Sequence, residues 1–151
     1  MYPTKYKIVL TLIFSLLLFS SCNIPRDPNK SWEQAKKDSL RVGIVNKKSS
    51  SAVHSDSLNL SERQFIKEFS KKNNLKTTFI EGSETDLIKK LEKFELDILL
   101  GEFDKKTIWK SRAGPIKSYD SKHVFLVPQG ENKLVYKLEK YIYKIKKDAE
   151  L

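Results

Sequence analysis

The feature that most constrains the fold of this chain is an alternation of short apolar segments with amphipathic ones between residues 40 and 145. The apolar segments hold five or six residues each, the usual length of a buried strand. Strands are predicted at residues 40–45, 76–80, 96–100 and 123–127. The alternation predicts an α/β fold with a mainly parallel sheet of about four strands, helices on both of its faces and right-handed crossovers.

Three amphipathic segments predict the helices. The first covers residues 61–73 and begins with a capping box formed by Ser61 and Gln64. The second follows a cap at Ser83, and the third fills the carboxyl-terminal region with the longest apolar stripe of the chain. Glu131 and Asn132 at the start of that last helix are explained by capping and by the helix dipole.

The amino terminus carries the pattern of a bacterial lipoprotein signal. Two lysines precede a twelve-residue apolar run at 8–19, and a pair of serines separates that run from Cys22, the one cysteine of the chain. We expect residues 1–21 to be removed as a signal peptide and Cys22 to carry palmitate and related lipid. The alternative is a short membrane anchor with a cysteine beside it by chance, although twelve residues fall well short of the roughly 20 that span a bilayer.

This interpretation predicts the domain organisation and the location. Residues 22–39, with two prolines and mixed charge, are expected to form the lipidated cysteine and a tether with one short helical turn. Residues 40–147 then form a single domain. The protein is expected in the bacterial cell envelope, anchored to a membrane by lipid and facing the periplasm or the exterior.

Charge and composition exclude several classes of function. Removing two lysines and no acidic residue with the signal lowers the net charge from +10 to +8. Only four of the basic residues are arginines, and no lysine run is interleaved with aromatics, so nucleic acid is not an expected partner. The lysines either face anionic lipid headgroups or form ordinary solvated surfaces. Two histidines without metal-ligand spacing give no reason to expect a metal or another cofactor.

The predicted sheet also indicates where a ligand would bind. In open α/β sheets, ligands bind beyond the carboxyl ends of the strands. Those ends are expected at Asn46, at residues 81–82, at residues 101–102 and at Pro128. Asn46 is therefore a candidate ligand contact, and Glu102 is a candidate acceptor for an ammonium group or a cation, although isolated charges in a loop are more often simply solvated.

The order of these segments resembles the first lobe of the family-3 extracellular solute-binding proteins of ABC transporters. The resemblance is carried by LRVGIV at 40–45, by ETDLIKKLEKFELDILLG at 84–101 and by HVFLV followed by PQGENKLVYKLEKYI at 123–142. It implies the type II periplasmic-binding fold, whose two lobes close over an amino acid or a similar small polar solute. The second lobe is missing here, so the chain resembles shorter, single-lobe members of the group.

The loop after the third strand would hold the family's ligand contacts. The resemblance suggests Thr107 as a ligand contact, Trp109 as a stacking platform and Arg112 as a clamp on a carboxylate. Trp109 is equally suited to anchoring the loop on the core. The family's arginine does not align with certainty on either Lys110 or Arg112, and Glu102 stands where a second glycine is expected, so inherited amino-acid specificity is in doubt.

Two functions follow from these observations. The first is a lipid-anchored module that binds or senses a small polar solute in association with a transporter. A single lobe offers half a cleft, so the binding is expected to be weak unless a partner or a homodimer supplies the other wall. The second is an interaction subunit that binds no solute and docks on a membrane transporter or another envelope partner. No catalytic motif is present, and we expect no enzymatic activity.

Overall fold

The computed structural model describes residues 27–46, 52–117, 119–120 and 122–149. The predicted signal peptide and Cys22 lie outside these residues. The described helices are α1 (Ser31–Lys37), α2 (Ala52–Lys72), α3 (Glu84–Glu92) and α4 (Asn132–Ala149), with a short 3-10 helix at Ile108–Ser111. The strands are β1 (Leu40–Val45), β2 (Thr77–Gly82), β3 (Ile98–Asp104), β4 (Gly114–Pro115) and β5 (His123–Val127).

The five strands form one sheet in the order β2-β1-β3-β5-β4. Strand β1 pairs in parallel with both β2 and β3, while β5 pairs antiparallel with both β3 and β4. Four strands therefore run in one direction and β5 runs in the other. The α/β prediction is confirmed, with one more strand than expected, because the two residues of β4 are too few to produce a sequence pattern.

Helices cover both faces of the sheet, as predicted. On one face, α1, α2 and α4 pack in a core that includes Leu40, Phe69, Phe125 and Leu138. On the other face, α3 and the 3-10 segment enclose a smaller core. The central strand β1 is buried on both sides, which is why its sequence is almost continuously apolar.

The antiparallel direction of β5 corrects one expectation about the ligand edge. Because Leu99 pairs with Leu126 and Asp104 pairs with His123, β5 starts at the edge where β3 ends. Pro128 therefore lies at the amino edge of the parallel strands, and the prediction that it joins Asn46 and Glu102 is wrong. The described residues between β3 and β5 form a 3-10 helix and the two-residue strand β4 but no crossover α-helix, and a connection of this kind favours an antiparallel return.

Helix α2 begins nine residues earlier than predicted, at Ala52. The capping box expected at Ser61 and Gln64 is therefore wrong, because both residues are inside the helix. The side chain of Gln64 instead donates to Glu68 one turn later, at 2.9 Å. The cap predicted for α3 is correct: Ser83 Oγ accepts a hydrogen bond from the Asp86 N–H at 3.2 Å.

The described part of the expected tether, from Asp27 onward, is packed against the rest of the fold. Trp32 and Ala35 of α1 are buried in the larger core, where the Trp32 ring lies 6.2 Å from that of Phe69. The start of α1 is held from a distance of 100 residues by Glu131, whose carboxylate accepts from the N–H groups of Asn29 and Ser31, both at 2.7 Å. The lobe thus begins before Leu40, and Glu131 caps α1 rather than α4.

Candidate solute site at the carboxyl edge

The carboxyl edge of β1, β2 and β3 carries a buried acidic group that the sequence did not indicate. Glu62, on α2, is only 2% exposed although it carries a carboxyl group. Its Oε1 accepts a hydrogen bond from the Tyr119 hydroxyl at 2.5 Å and a longer one from the Glu102 N–H at 3.3 Å. Its Oε2 is buried and makes no hydrogen bond to any residue that the structure describes.

The position of Glu62 follows from the helical repeat of α2. Glu62, Ile66 and Phe69 are spaced by four and three residues and therefore share the face of α2 that packs on the sheet. Tyr119 is held by its own ring, which stacks on Phe125 with centroids 4.2 Å apart and planes within 13°. Both partners of the short hydrogen bond are thus fixed by aromatic and aliphatic packing.

Glu102 presents its backbone to Glu62 because the chain bends at this point. Its φ is +53°, a left-handed conformation that non-glycine residues seldom adopt. The pairing of β3 with β5 is irregular between Leu99 and Phe103, around the same residue. Strained residues and bulges of this kind are enriched next to binding sites. Here the bend aims the Glu102 N–H at the buried carboxylate.

Burial is the main electrostatic influence on this group. It raises the pKa of Glu62, because the charged form loses hydration, and the nearby charge of Glu102 raises it further. The donors from Tyr119 and Glu102 act in the opposite direction but do not offset burial. Burial and the charge of Glu62 likewise raise the pKa of Tyr119, so the phenol stays protonated and remains a donor.

A histidine and an aspartate extend this network at the start of β5. His123 Nδ1 lies 2.7 Å from Asp120 Oδ2, and the His123 ring stacks against Tyr119 with centroids 6.4 Å apart. Burial raises the pKa of Asp120, but the hydrogen bonds from His123 and Lys122 outweigh it, so the pKa is lowered overall. Asp120 therefore stays ionised and holds His123 next to the Glu62–Tyr119 pair.

The residues predicted from the sequence are only partly brought together. Asn46 is exposed at the end of β1, where its N–H donates to the Gly82 carbonyl at 2.9 Å, and Glu102 lies at the end of the neighbouring β3. Thr107 is not seen at a ligand-facing position: its Oγ1 accepts from the Trp109 N–H at 3.4 Å and caps the 3-10 helix.

Trp109 and Arg112 lie at opposite ends of α3, with Trp109 at the end that follows the carboxyl end of β2. The Trp109 indole N–H donates to Glu84 in the first turn of α3 at 2.5 Å, and its ring packs on the smaller core. The guanidinium of Arg112 forms a two-pronged ion pair with Glu92 at the other end of that helix, with Nε to Oε1 at 2.6 Å. Arg112 is thus occupied by an internal carboxylate.

Glu62 and Tyr119 were missed for identifiable reasons. A helix predicted to start at Ser61 makes Glu62 a first-turn acidic residue, which needs no further explanation. If α2 is started at Ala52, however, Glu62 becomes a carboxyl group on the apolar stripe of a helix, and that is an anomalous signal. Tyr119 was expected to pack with its hydroxyl bonded within the loop, but the hydroxyl reaches α2 instead.

The described residues contain neither a candidate metal site nor a candidate membrane-spanning helix. Among the described residues, no three His, Cys, Asp or Glu side chains are grouped closely enough to hold a metal ion. Nor is any described helix both long enough and apolar enough to cross a bilayer.

Comparison with solved structures identifies the fold. A point mutant of the arginine-bound form of domain 1 from TmArgBP is 11% identical, with a TM-score of 0.63 over 76% of this chain and 98% of that one. The arginine-bound form of the same domain is 12% identical, with a TM-score of 0.57 over 70% of this chain and 91% of that one. No protein-family model and no curated protein sequence matches the chain. At these identities the likeness concerns the fold, which is that of a single lobe of a periplasmic binding protein.

Proposed function

We propose that the chain is a lipid-anchored, single-lobe solute-binding protein of the bacterial envelope, related to the family-3 group, that binds a small amino-acid-like solute in association with a transporter. The observation that carries this proposal is the buried Glu62 carboxyl at the carboxyl edge of the sheet, with one oxygen held by Tyr119 and Glu102 and the other unbonded within the described residues. Ligands of α/β sheets bind at this edge.

The chemistry of the site favours a solute that donates hydrogen bonds. An ionised carboxylate can only accept, and leaving a buried acceptor unbonded is costly. An ammonium or guanidinium group placed on Glu62 Oε2 would satisfy that oxygen and would also offset the burial that raises the pKa of Glu62. The preferred solutes are therefore amines and basic amino acids rather than simple carboxylic acids.

Thermal shift and calorimetric titration of the purified protein with lysine, arginine, glutamate and leucine test this specificity. We expect the two basic amino acids to stabilise the protein at millimolar concentration and the other two to have little effect. Glu62→Gln should abolish the stabilisation, because a neutral amide does not attract a cation. Glu68→Gln is the matched control, since Glu68 is an exposed carboxylate on the same helix.

The absence of any response to millimolar basic amino acids would argue against a free-standing binder. A response of equal size in Glu62→Gln would place the solute elsewhere. Repeating the titration at two protein concentrations tests whether a homodimer supplies the second wall, because the apparent affinity would then rise with protein concentration.

One observation favours a docking subunit as the second candidate. Arg112 is bonded to Glu92, at the end of α3 that is farther from the carboxyl edge of the sheet, so its guanidinium is not directed at the ligand edge. A subunit that only docks on a partner does not need an arginine that is free to bind the carboxylate of a solute. Affinity capture of the lipidated protein after cross-linking in membranes separates the two candidates: a docking subunit brings down a stoichiometric partner whether or not basic amino acids are present, whereas solute binding predicts a dependence on them.

The lipid anchor is tested separately. Mass spectrometry of the amino-terminal peptide from membranes should show a cleaved chain beginning with diacylated or triacylated Cys22. Cys22→Ser should prevent both lipid addition and release from the signal peptide. An unmodified Cys22 thiol in the mature protein would contradict this part of the proposal.

A further inference from the structure

A second surface, away from Glu62, is strongly basic. Where the end of α2 meets α4, the surface forms a groove of about 720 Å³ whose lining includes a single acidic residue. Its charged lining consists of Lys72, Lys137, Lys140, Lys144, Lys147 and Asp148. We name this surface the basic groove. Five lysines facing a single aspartate leave a large excess of positive charge.

The lysines of the basic groove are close enough to repel one another. Lys72 and Lys144 approach within interaction distance, and this contact, together with some desolvation, lowers the pKa of Lys72. A fold that holds like charges together gains free energy when an anionic partner neutralises them. The groove is therefore better suited to an anionic partner than to a cationic or neutral one.

Exposed aromatic side chains accompany the lysines along α4. Tyr136, Lys140, Tyr143 and Lys147 follow one another at spacings of four, three and four residues, so they form one stripe on the helix. Tyr136 is 58% exposed and Tyr143 is 70% exposed. The stripe lies opposite the side of α4 that carries the buried Leu134, Leu138 and Ile142, so the fold does not require it. A mixture of lysine and tyrosine suits the interface between headgroups and acyl chains.

We propose that the basic groove and the tyrosine stripe of α4 bind the surface of a membrane rich in anionic lipid. Lysines contact phosphate groups, and the two exposed tyrosine rings insert at headgroup level. The contact does not cover the candidate solute site, because Glu62 lies ten residues before Lys72 on α2, a distance of about 15 Å along the helix. The surface does not depend on the identity of any solute, so this proposal and the solute-binding proposal can fail independently.

Residue-resolved acetylation of lysines tests the proposal with the unaltered full-length protein. The protein is incorporated at equal density in vesicles of phosphatidylcholine alone or of phosphatidylcholine with phosphatidylglycerol, treated with a water-soluble acetylating reagent and analysed by mass spectrometry. We expect Lys140, Lys144 and Lys147 to react at least about fivefold more slowly on the anionic vesicles. The attraction of one lysine to an anionic surface favours its lipid-bound, protected position over the free one by roughly this factor. The protection should disappear in about 1 M NaCl, where the screening length falls to about 3 Å.

The lysines of α3, on the opposite face of the sheet, provide the internal control. Lys89 and Lys90 of α3, and Lys93 directly after it, should react at the same rate on both kinds of vesicle. Equal rates for the α4 lysines on both vesicles, or equal protection of the α3 lysines, would overturn the proposal. Protection by soluble glycerol phosphate on phosphatidylcholine vesicles would also overturn it, because the groove would then be a site for a small anion rather than a membrane-binding surface.

Discussion

Removing the hydroxyl of Tyr119 tests the structure of the candidate site most directly. Tyr119→Phe keeps the ring that stacks on Phe125 but deletes the 2.5 Å hydrogen bond to Glu62. A hydrogen bond to a charged group contributes about 1.5–3 kcal/mol. We therefore expect the free energy of unfolding to fall by about 2 kcal/mol at pH 8, which corresponds to a decrease in Tm of roughly 8 °C for a domain of this size.

The pH dependence of this loss distinguishes the hydrogen bond from a simple packing defect. At pH values below about 4, Glu62 is protonated and the bond joins two neutral groups, so the cost of Tyr119→Phe should fall to about 1 kcal/mol. Urea denaturation monitored by circular dichroism at pH 4 and pH 8 measures both values. The matched control is Tyr141→Phe, since Tyr141 packs against Phe65 and Phe69 and its hydroxyl makes no hydrogen bond to any described residue.

Combining Tyr119→Phe with Glu62→Gln completes a double-mutant cycle. If the two side chains interact as described, the coupling between them at pH 8 should be about 1–2 kcal/mol, because residues in direct contact are not additive. Additive effects, an equal cost of Tyr119→Phe at both pH values, or an equal cost of Tyr141→Phe would refute the interpretation that Glu62 is buried as an ionisable acceptor for Tyr119.

Three further predictions concern stability. The raised pKa of Glu62 means that the folded state holds the carboxyl proton more tightly than the unfolded state does. The stabilisation from this proton is fully present below the ordinary pKa of 4.5 and is lost as the pH rises through the folded-state pKa. Glu62→Gln should therefore flatten the decline of stability with pH, and an unchanged profile would contradict the burial of Glu62. Trp32→Ala should lower the free energy of unfolding by about 3–5 kcal/mol in urea titrations, whereas a change below about 0.5 kcal/mol would mean that α1 is a tether after all. Asp97→Ala should cost about 3 kcal/mol in the same assay, because Asp97 is fully buried and binds Arg41 through Nε at 3.0 Å and Nη2 at 2.6 Å; a neutral outcome would show that the pair is dispensable.

Local sequence patterns predicted most of the strands, but they did not predict that β5 runs antiparallel to the others. Strand β5 was predicted with its correct bounds, since HVFLV is a compact apolar run between polar residues. Its antiparallel orientation depends on the path of the preceding loop, which carries no helical period to indicate a crossover. The same reasoning placed Pro128 at the wrong edge, because the position of a strand end in space depends on pairing with β3 and not on the strand itself.

Helix boundaries and the site depended on contacts that no local pattern records. Ser55, Ser57 and Asn59 have modest helix propensity, so the start of α2 at Ala52 was not predicted; once a helix has formed, each added residue gains a hydrogen bond at low cost. Trp32 was assigned to a tether because residues 22–39 contain two prolines and mixed charge, although the Trp32 ring packs against Phe69 of α2. The Glu62–Tyr119 bond joins residues 57 positions apart and could not be inferred from either segment alone.

The capping of α1 by Glu131 also sets an order of events during synthesis. The hydrogen bonds that hold this end of the lobe, from Asn29 and Ser31 to Glu131 and from Lys133 to Asp27, all join residues 100 to 106 positions apart. A ribosome adds that length of chain in on the order of 5 to 20 s. These hydrogen bonds of α1 cannot form before then, so the proposed amino-terminal signal would have this whole interval in which to be recognised before this end of the lobe is complete.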